Sequence, residues 1–467
     1  TCQLPETLAP GNPWLGIILP YSPLHHLLMK QLGFPVIATS GNRDDEPICI
    51  DNDEAVARLG GIADGFLVHD RPIARPVDDS VLRQVAGREM VLRRSRGFAP
   101  APVAVPDIAT CVLAYGGDLK GTIAVADRNQ VRLSQHFGDL ASLESRQAFE
   151  RHLVDFPALC RAEPTAIACD LHPAYHSHQL AEASHRPLVA IQHHHAHAIA
   201  CAAENGIGAE EEFLGVAWDG TGYGEDGSIW GGEFLLCHGA DFRRFAWLRP
   251  FPLPGGEKAV RDPRFAALGC LHEAGIRVGK TPLAEKLTAE ERDVAQRLIE
   301  KGINTPLCSS AGRIFDAVSA LCGLCCRNEF EGQAAMALEF VASVDSSLSP
   351  YPLEIAGRSE IDWTPLLRAI VDDLDPDQGN ADPAGISRRF HLTLADLIAQ
   401  VAGATNCGTI ALTGGCFQNA LLLELTIARL QTIGLRPIWH RHVPPNDGGL
   451  AFGQAVVASR RLTSQSD

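Results

Sequence analysis

Runs of apolar residues separated by polar turns divide the chain into short strands and amphipathic helices. The pattern is clearest around residues 187–206, where "PLVAIQ" predicts a buried strand and "AIACAAENG" predicts a helix that ends at Asn205 and Gly206. Between these two segments, "HHHAH" places four histidines within residues 193–197. The histidines therefore lie where a strand ends and a helix begins, which is a common position for a functional site.

A strand, a glycine-rich turn and a returning strand occur twice along the chain. The first copy is "CVLAYGGDLKGTIAVAD" and the second, about a hundred residues later, is "FLGVAWDGTGYGEDGSIWGGEFLLC". This recurrence predicts a duplicated fold whose two turns offer backbone N–H groups to an anion. A third glycine turn, Gly414–Gly415, stands between an apolar strand and an amphipathic helix, as in phosphate-binding turns.

Residues 1–97 form a separate block with strands predicted at "LGIILP" and "PVIATS", two helices, and a β-hairpin ending in "LRRSRG". The hairpin carries an arginine cluster, which fits a clamp for phosphate or carboxylate, although a solvated hairpin edge would look the same. The cluster consists of Arg83, Arg93, Arg94 and Arg96. The proline-rich segment 98–110 is predicted to be the linker to the second domain.

Composition narrows the classes of function. A chain of 467 residues holds two to four domains, and its net charge of −16 disfavours non-specific binding to nucleic acid. No apolar run is long enough to span a membrane, and the 14 cysteines, scattered in apolar segments, fit reduced thiols in a cytoplasmic protein. "CGLCC" has only half of a four-ligand zinc pattern. The sequence opens at Thr1 in mid-pattern, so we expect it to be a piece of a longer protein.

The histidine run has two geometries suited to a metal ion. His193 and His197 are four residues apart and share one helical face, whereas His194 and His197, three apart, form a second possible pair. His195 would point elsewhere. Solvent-facing histidines at a polar helix start would give the same pattern, and Asp447, at the start of the last predicted helix, would also serve as a plain N-cap.

The motifs together resemble the HypF family of carbamoyltransferases. Residues 1–97 are similar to the C-terminal part of a YrdC-type ATP-binding domain, through "LPYSPLHHLL", "ATSGNRDDEPI" and "HDRPIARPVDDSVLR". Residues 111–467 are similar to the family's transferase domain, through "GGDLKGT", "QHHHAHAIA", "WDGTGYGEDGSIWGGEF", "GRIFDAVSAL", "EGQAAMALE", "TGGCFQN" and "PPNDGGLAFGQA". The resemblance implies an α/β fold: a partial YrdC-like domain, then a duplicated, two-lobed domain of the actin and sugar-kinase type.

The resemblance also implies site residues. A divalent transition metal, iron or zinc, would be held by His193, His197, Asp219 and Asp447, which would form the catalytic centre. The residues expected to bind the nucleotide, with Mg²⁺ accompanying ATP, are Ser40, Asn42, Arg93, Arg96, Gly116, Lys120, Gly312, Asp316, Glu331, Gly414, Gly415 and Asn419.

The implied reaction is ATP-dependent activation of carbamate, supplied as carbamoyl phosphate, to carbamoyl adenylate. The carbamoyl group then passes to the C-terminal cysteine thiol of the partner protein HypE, in the maturation of [NiFe]-hydrogenases. Neither nucleic acid nor membrane is an expected partner. Two alternatives remain open: carbamoyl transfer to a small-molecule hydroxyl, and a non-catalytic ATP-binding scaffold.

Overall fold

The computed structural model describes residues 5–43, 46–279, 281–353, 355, 359–375, 377 and 382–464. These residues form two compact units, residues 1–76 and 77–467. No described helix is both long enough and apolar enough to cross a membrane.

The first unit contains helices α1 (Pro23–Leu32) and α2 (Asn52–Leu59) and a 3₁₀ turn at Glu6–Leu8. Ser22 and Asp51 cap the two helices through their side chains, as expected at helix starts. The strands predicted at "LGIILP" and "PVIATS" are not formed, because no other described segment pairs with either of them. None of the described residues of this unit is buried.

The predicted β-hairpin is present as β1 (Val81–Val85) and β2 (Arg88–Arg93), but it packs within the second unit. Val85 and Met90 join the core of that unit. The backbone N–H of Val91 donates to the carbonyl of Arg441, 3.0 Å away. The compact units thus divide between Pro76 and Val77. The domain boundaries predicted from the sequence, with a linker at residues 98–110, stay a prediction.

Besides this hairpin, the described part of the second unit contains two larger sheets. The strands of the first sheet are β3 (Pro102–Ala104), β4 (Val112–Ala114), β5 (Ala124–Asp127), β6 (Gln130–Leu133), β7 (Ala166–Asp170) and β8 (Leu188–Ile191). Those of the second are β9 (Phe213–Tyr223), β10 (Ile229–His238), β11 (Asp241–Leu248), β12 (Phe251–Pro252), β13 (Leu307–Cys308), β14 (Glu360–Ile361), β15 (Thr409–Thr413) and β16 (Arg436–Trp439). Strand β3 lies inside the predicted linker and pairs with β6 at the sheet edge, where a proline is tolerated.

The two sheets share one topology. The first runs β6-β5-β4-β7-β8 and the second β11-β10-β9-β15-β16, with an antiparallel meander on one side and parallel strands on the other. The two glycine-tipped hairpins read from the sequence are β4–β5 and β9–β10. The duplication predicted from their recurrence is therefore confirmed.

Helices surround the two sheets. They are α3 (Leu143–Cys160), α4 (His176–Ala183), α5 (His193–Glu204), α6 (Glu257–Arg261), α7 (Pro263–Glu273), α8 (Pro282–Glu285), α9 (Ala289–Lys301), α10 (Ala311–Leu321), α11 (Gln333–Val341), α12 (Thr364–Leu374), α13 (Pro383–Gly403), α14 (Ala420–Thr432) and α15 (Leu450–Ser464).

Two of these helices occupy the centre between the sheets. Helix α15 packs on the first sheet, α5 packs on the second, and the two helices pack on each other. Their approach is so close that a Cβ on Gly453 would come within 1.8 Å of the carbonyl oxygen of Ala196. The alanine-rich sequence of α5 fits this packing, because small side chains let two backbones approach. Each of these helices follows the last parallel strand of its own repeat, so their N-termini occupy equivalent positions.

Candidate metal centre

The histidine run begins helix α5, directly after strand β8, as the sequence predicted. Gln192 caps the helix, its side-chain oxygen accepting from the backbone N–H of His195 at 2.9 Å. Helix α5 is buried on all sides, so the four histidines have no exposed ring. The alternative of a solvent-facing polar helix start is wrong.

Four side chains from three parts of the chain meet at the start of α5. His193, His197, Asp219 and Asp447 each offer a ligand atom, and these atoms all lie within 4.8 Å of one another. Asp219 lies in strand β9, and Asp447 begins a 3₁₀ turn just before α15. The structure thus brings together the four residues to which the resemblance pointed.

The distances within the cluster leave room for an ion at its centre. The Nε2 atom of His197 lies 3.2 Å from Asp219 Oδ2 and 3.5 Å from Asp447 Oδ1. The Nε2 atom of His193 lies 3.4 Å and 3.7 Å from the same two oxygens. These gaps lie at or beyond the upper end of normal hydrogen-bond lengths, and neither nitrogen has a hydrogen-bond partner among the described residues.

Three of these inward-facing atoms are buried without a hydrogen-bond partner among the described residues, namely Nε2 of His193, Nε2 of His197 and Oδ2 of Asp219. Buried polar groups are normally satisfied, so three converging unsatisfied atoms fit a cation held between them. Two imidazoles and two carboxylates carry a donor set that suits a divalent transition ion and balance its charge. The residues present therefore fit a metal ion.

The electrostatics of the cluster follow from burial and charge. Burial disfavours the imidazolium form, yet the carboxylates of Asp170 and Asp447 hold the pKa of His193 well above its usual value. Burial likewise opposes ionisation of Asp219, but His193 and His197 hold its pKa well below the usual range. The site is therefore built to keep its carboxylates ionised and to stabilise positive charge between them.

A fifth residue orients the first ligand. Asp170, at the end of β7, accepts from Nδ1 of His193 at 2.8 Å, and its other oxygen accepts from the backbone N–H of His172 at 2.9 Å. This carboxylate fixes the tautomer in which Nε2 of His193 faces the cluster. Asp170 was not among the site residues predicted from the sequence. The motif "AIACDLHPAY" placed an aspartate at a strand end, and that was the available signal.

His194 and His195 lie outside the cluster. The ring of His195 packs against Phe242 with centroids 4.7 Å apart, and burial lowers its pKa to about 3. His194 faces Gln192 and Trp230. The prediction that His195 points elsewhere is confirmed, and the cluster contains the His193–His197 pair, not His194–His197.

The Gly414–Gly415 turn lies directly against the metal cluster. Gly414 has a φ of +93°, and the N–H of Gly415 donates to Asp219 Oδ1 at 3.1 Å. The N–H of Gly414 donates to the carbonyl of Pro445 at 3.0 Å. Both N–H groups expected to bind phosphate are thus engaged within the protein, and the turn positions the carboxylate of Asp219. Asn419, at the end of the turn, caps α14.

The remaining expected nucleotide residues of the second unit fall into two groups. Gly312 and Asp316 lie in α10, where a Cβ on Gly312 would come within 2.9 Å of Gly220. Burial raises the pKa of Asp316 to about 6, against the opposing charge of Arg313. In the second group, Lys120 forms an ion pair with Glu331, and the backbone of Gly116 bonds to the side chain of Gln454 in α15.

The arginines of the hairpin do not form a joint clamp. Arg83 pairs with Glu339, Arg96 pairs with Asp79, and Arg94 is buried among backbone carbonyls. Arg93 alone of the four has no hydrogen bond or ion pair of its side chain among the described residues. A β-bulge at Leu92 interrupts the strand beside Arg93, since Val81 pairs with Arg93 and Leu82 pairs with Val91.

Ser40 and Asn42 lie in the first unit, in the turn that precedes Arg43. Asn42 stabilises this turn by donating to the carbonyls of Arg43 and Glu46 at 2.9 and 3.0 Å. The side-chain oxygen of Asn42 is buried without a partner among the described residues.

Comparison with known proteins covers nearly the whole chain. Residues 1–95 match the Sua5/YciO/YrdC family model, described as telomere recombination, and residues 107–204 match the HypF Kae1-like domain. Residues 215–454 match the second subdomain of the carbamoyltransferase Kae1-like domain. The fold and site thus define a Kae1-like carbamoyltransferase preceded by YrdC-type sequence.

Individual relatives narrow this class of protein further. The chain is 44% identical to the carbamoyltransferase HypF of Synechocystis over 97% of its own length and 61% of that protein. It is 36% identical to a HypF homologue of Cupriavidus necator, of which it covers 92%. A crystal structure of full-length HypF in the phosphate- and nucleotide-bound form superposes with a TM-score of 0.91 at 38% identity, over 97% of this chain and 72% of that one. The chain belongs to the HypF carbamoyltransferase family.

The chain spans about three fifths of the length of three curated relatives that it matches. The predicted fold class, a YrdC-like part followed by a two-lobed Kae1-like part, is confirmed by the family models and by the HypF structure.

Proposed function

We propose that the chain transfers a carbamoyl group from carbamoyl adenylate to the C-terminal cysteine thiolate of HypE, in the maturation of [NiFe]-hydrogenases. The adenylate forms from ATP, with its Mg²⁺, and carbamate supplied by carbamoyl phosphate, with Ser40, Asn42 and Arg96 contributing on the YrdC-like side. The observation that carries the proposal is the buried cluster His193–His197–Asp219–Asp447 beside a glycine turn in a HypF-family chain.

The transfer replaces one carbonyl substituent by another. The thiolate sulfur attacks the carbamoyl carbon, a C–S bond forms, and the C–O bond to the phosphate breaks as AMP leaves. A thiolate is already a strong nucleophile, so the protein needs to supply position and charge stabilisation rather than a general base. A bound divalent ion, iron or zinc, would supply Lewis acidity toward the carbonyl or phosphate oxygen.

The residues of this chain have separate tasks in that reaction. Asp170 holds the ring of His193 so that Nε2 faces the cluster, and the N–H of Gly415 holds Asp219 in place. Asp316 and Glu331 are suited to the ribose hydroxyls, since a carboxylate accepts hydrogen bonds from them. The full burial of both imidazoles excludes water from one side of the reacting atoms, which limits hydrolysis of the adenylate.

His197→Ala tests the proposal. The variant loses one of four ligands, so metal content falls and formation of thiocarbamate on HypE falls by about a thousandfold or more, as expected when a Lewis acid worth several kcal/mol is removed. Elemental analysis and mass spectrometry of HypE supply the two measurements, with carbamoyl adenylate as donor.

His195→Ala is the matched control, because it deletes an equally buried imidazole that is not a ligand. Both rings are fully buried, so both variants lose stability. Full metal and full transfer in His197→Ala would contradict the proposal, and so would equal loss of both in the two variants. Carbamoylation of a small-molecule hydroxyl, without carbamoylation of HypE, would show that the acceptor is the small molecule.

A further inference from the structure

A buried carboxylate at the far end of helix α5 holds the loop that leads to Asp447. We call this loop, residues 440–446 between β16 and the 3₁₀ turn of Asp447, the ligand loop. Glu204 is the last residue of α5, about two turns beyond His197, and its side chain is only 1% exposed. The helix that supplies both histidines therefore also carries the side chain that binds the ligand loop.

The carboxylate of Glu204 accepts hydrogen bonds from consecutive residues of the ligand loop. Its Oε2 accepts from the backbone N–H of His442 at 2.9 Å and from that of Val443 at 3.2 Å. The N–H of Arg441 lies 3.3 Å from each carboxylate oxygen. Nδ1 of His440 donates to Oε1 at 2.6 Å, since a carboxylate can only accept. One side chain thus engages four donors and fixes the backbone of this segment.

The hairpin holds the opposite side of the same segment. The N–H of Val91 donates to the carbonyl of Arg441 at 3.0 Å, and Nη1 of Arg94 donates to the carbonyl of His442 at 3.1 Å. The loop N–H groups therefore face Glu204 while the loop carbonyls face the hairpin. Because buried backbone groups need partners, a shift of this segment would break bonds on both sides.

The fixed segment is connected to Asp447 by a short, stiff stretch of chain. Only residues 444–446, two prolines and an asparagine, separate Val443 from Asp447. Each proline has a fixed φ, which limits how far the stretch can bend. A Cβ on Gly449 would come within 2.2 Å of the carbonyl oxygen of Pro444, so the stretch also packs against the turn that contains Asp447. The position of the ligand loop therefore determines the position of this carboxylate.

A second set of contacts joins Glu204 to the turn of α5 that carries His197. Nε2 of His440 lies 2.8 Å from the hydroxyl of Thr413, and that hydroxyl lies 3.1 Å from the carbonyl of His197. Thr413 and His440 are both buried, so water does not compete for these bonds. The contacts return to α5, and they fix the ligand loop to the same helical turn that presents the imidazole.

We propose that Glu204 is a positioning residue of the metal centre, which holds the ligand loop on α5 and thereby sets the distance between Asp447 and the two histidines. Glu204 is not among the four residues whose ligand atoms converge in the cluster, so it acts through Asp447. The inference rests on the metal site of the proposed function, and it is independent of the identity of the carbamoyl acceptor.

A double-mutant cycle on metal affinity tests this role. Competition with a chromophoric chelator measures Zn²⁺ affinity of the full chain for the wild type, Glu204→Gln, Asp447→Asn and the double variant. We expect Glu204→Gln to lower the affinity by about tenfold, because an amide has one acceptor oxygen where the loop offers several donors. In the Asp447→Asn background the same change has little effect, because the ligand that Glu204 positions is already lost.

Two further variants support the cycle. Glu204→Asp keeps the charge and withdraws it from the loop by one methylene, so it provides a folded protein if the amide variant does not fold. Its Zn²⁺ affinity is expected to fall by a smaller factor, again only when Asp447 is present. Glu291→Gln is the control, since its carboxylate accepts the backbone N–H of Thr288 in the cap of α9, and the change should leave Zn²⁺ affinity unchanged.

The outcomes separate positioning from a purely structural role. An equal loss of Zn²⁺ affinity in both backgrounds overturns the inference, because a general loss of stability does not depend on Asp447. Unchanged affinity in both Glu204 variants overturns it as well, even if thermal unfolding of the metal-free proteins shows lower stability. A wild type that binds no Zn²⁺ would remove the metal site and the inference together, whereas a failure of carbamoyl transfer alone would leave the cycle intact.

Discussion

His193 uses both of its ring nitrogens, and only one of them faces the candidate ligands. Its Nδ1 bonds to Asp170, a buried carboxylate at the end of β7, while Nε2 faces Asp219 and Asp447. This pairing of a carboxylate with a ligand imidazole fixes the ring and increases the basicity of the ligating nitrogen. The carboxylate of Asp170 would therefore affect a bound ion through His193 alone.

Asp170→Asn isolates that contribution. The amide keeps the shape of the side chain but removes the charge, so we expect metal affinity to fall by about 10- to 100-fold while the other ligands stay in place. Competitive titration with a chromophoric chelator measures the affinity. Asp118→Asn, which changes a carboxylate that bonds the backbone N–H groups of His176 and Ser177, leaves metal affinity near the wild-type value.

Spacing along one helix gave two candidate pairs, His193–His197 and His194–His197, because residues three or four apart share a face. The resemblance selected the first pair. Asp170 was not predictable in the same way. Its contact depends on β7 and β8 lying side by side in the sheet, and no local pattern specifies that pairing. The separate partners of the arginines depend likewise on tertiary contacts and on a bulge that leaves no mark in residue type.

The turn between β15 and α14 acts as a support for Asp219. A Cβ on Gly414 would come within 2.2 Å of the carbonyl oxygen of Trp218, and one on Gly415 within 2.7 Å of Asp219 Oδ1. The glycines therefore permit close contact with strand β9. The sequence predicted the turn and its position, and the structure shows the N–H of Gly415 bonded to Asp219. Binding of phosphate at the turn stays a prediction.

Gly415→Ala tests this function of the turn. The added methyl group displaces Asp219, so we expect metal content to fall together with AMP binding, which elemental analysis and calorimetry measure on the same preparations. Gly408→Ala is the control, since a Cβ there meets nothing within 4 Å. A loss of AMP binding with full metal content would show that the turn contacts the nucleotide instead.

At the scale of the molecule, the metal cluster joins the two repeats. The two histidines come from the last helix of the first repeat, and the two aspartates come from the second repeat, one at each end of it. Recurrence of the hairpin motif was sufficient to predict the duplication. The packing of α5 on the second sheet and of α15 on the first was not predictable, because it depends on how the repeats associate.

Removal of the metal is expected to lower the melting temperature of the second unit. A ligand that binds only the folded state stabilises it by about 4 kcal/mol when its free concentration is about 1,000 times its dissociation constant. Scanning calorimetry with and without a chelator should show a shift of several degrees, and the His197→Ala variant should show none. An equal shift of the melting temperature in His197→Ala would show that the chelator acts at a site other than this cluster.

Asp447 has a further consequence for biosynthesis. It precedes α15, the last helix described, so a nascent chain emerging from the ribosome presents three of the ligands well before the fourth. Until α15 is synthesised, the first sheet also lacks the helix that covers it. We therefore expect tight binding of an ion only after the final helix has folded, and weaker binding in a chain truncated before Asp447.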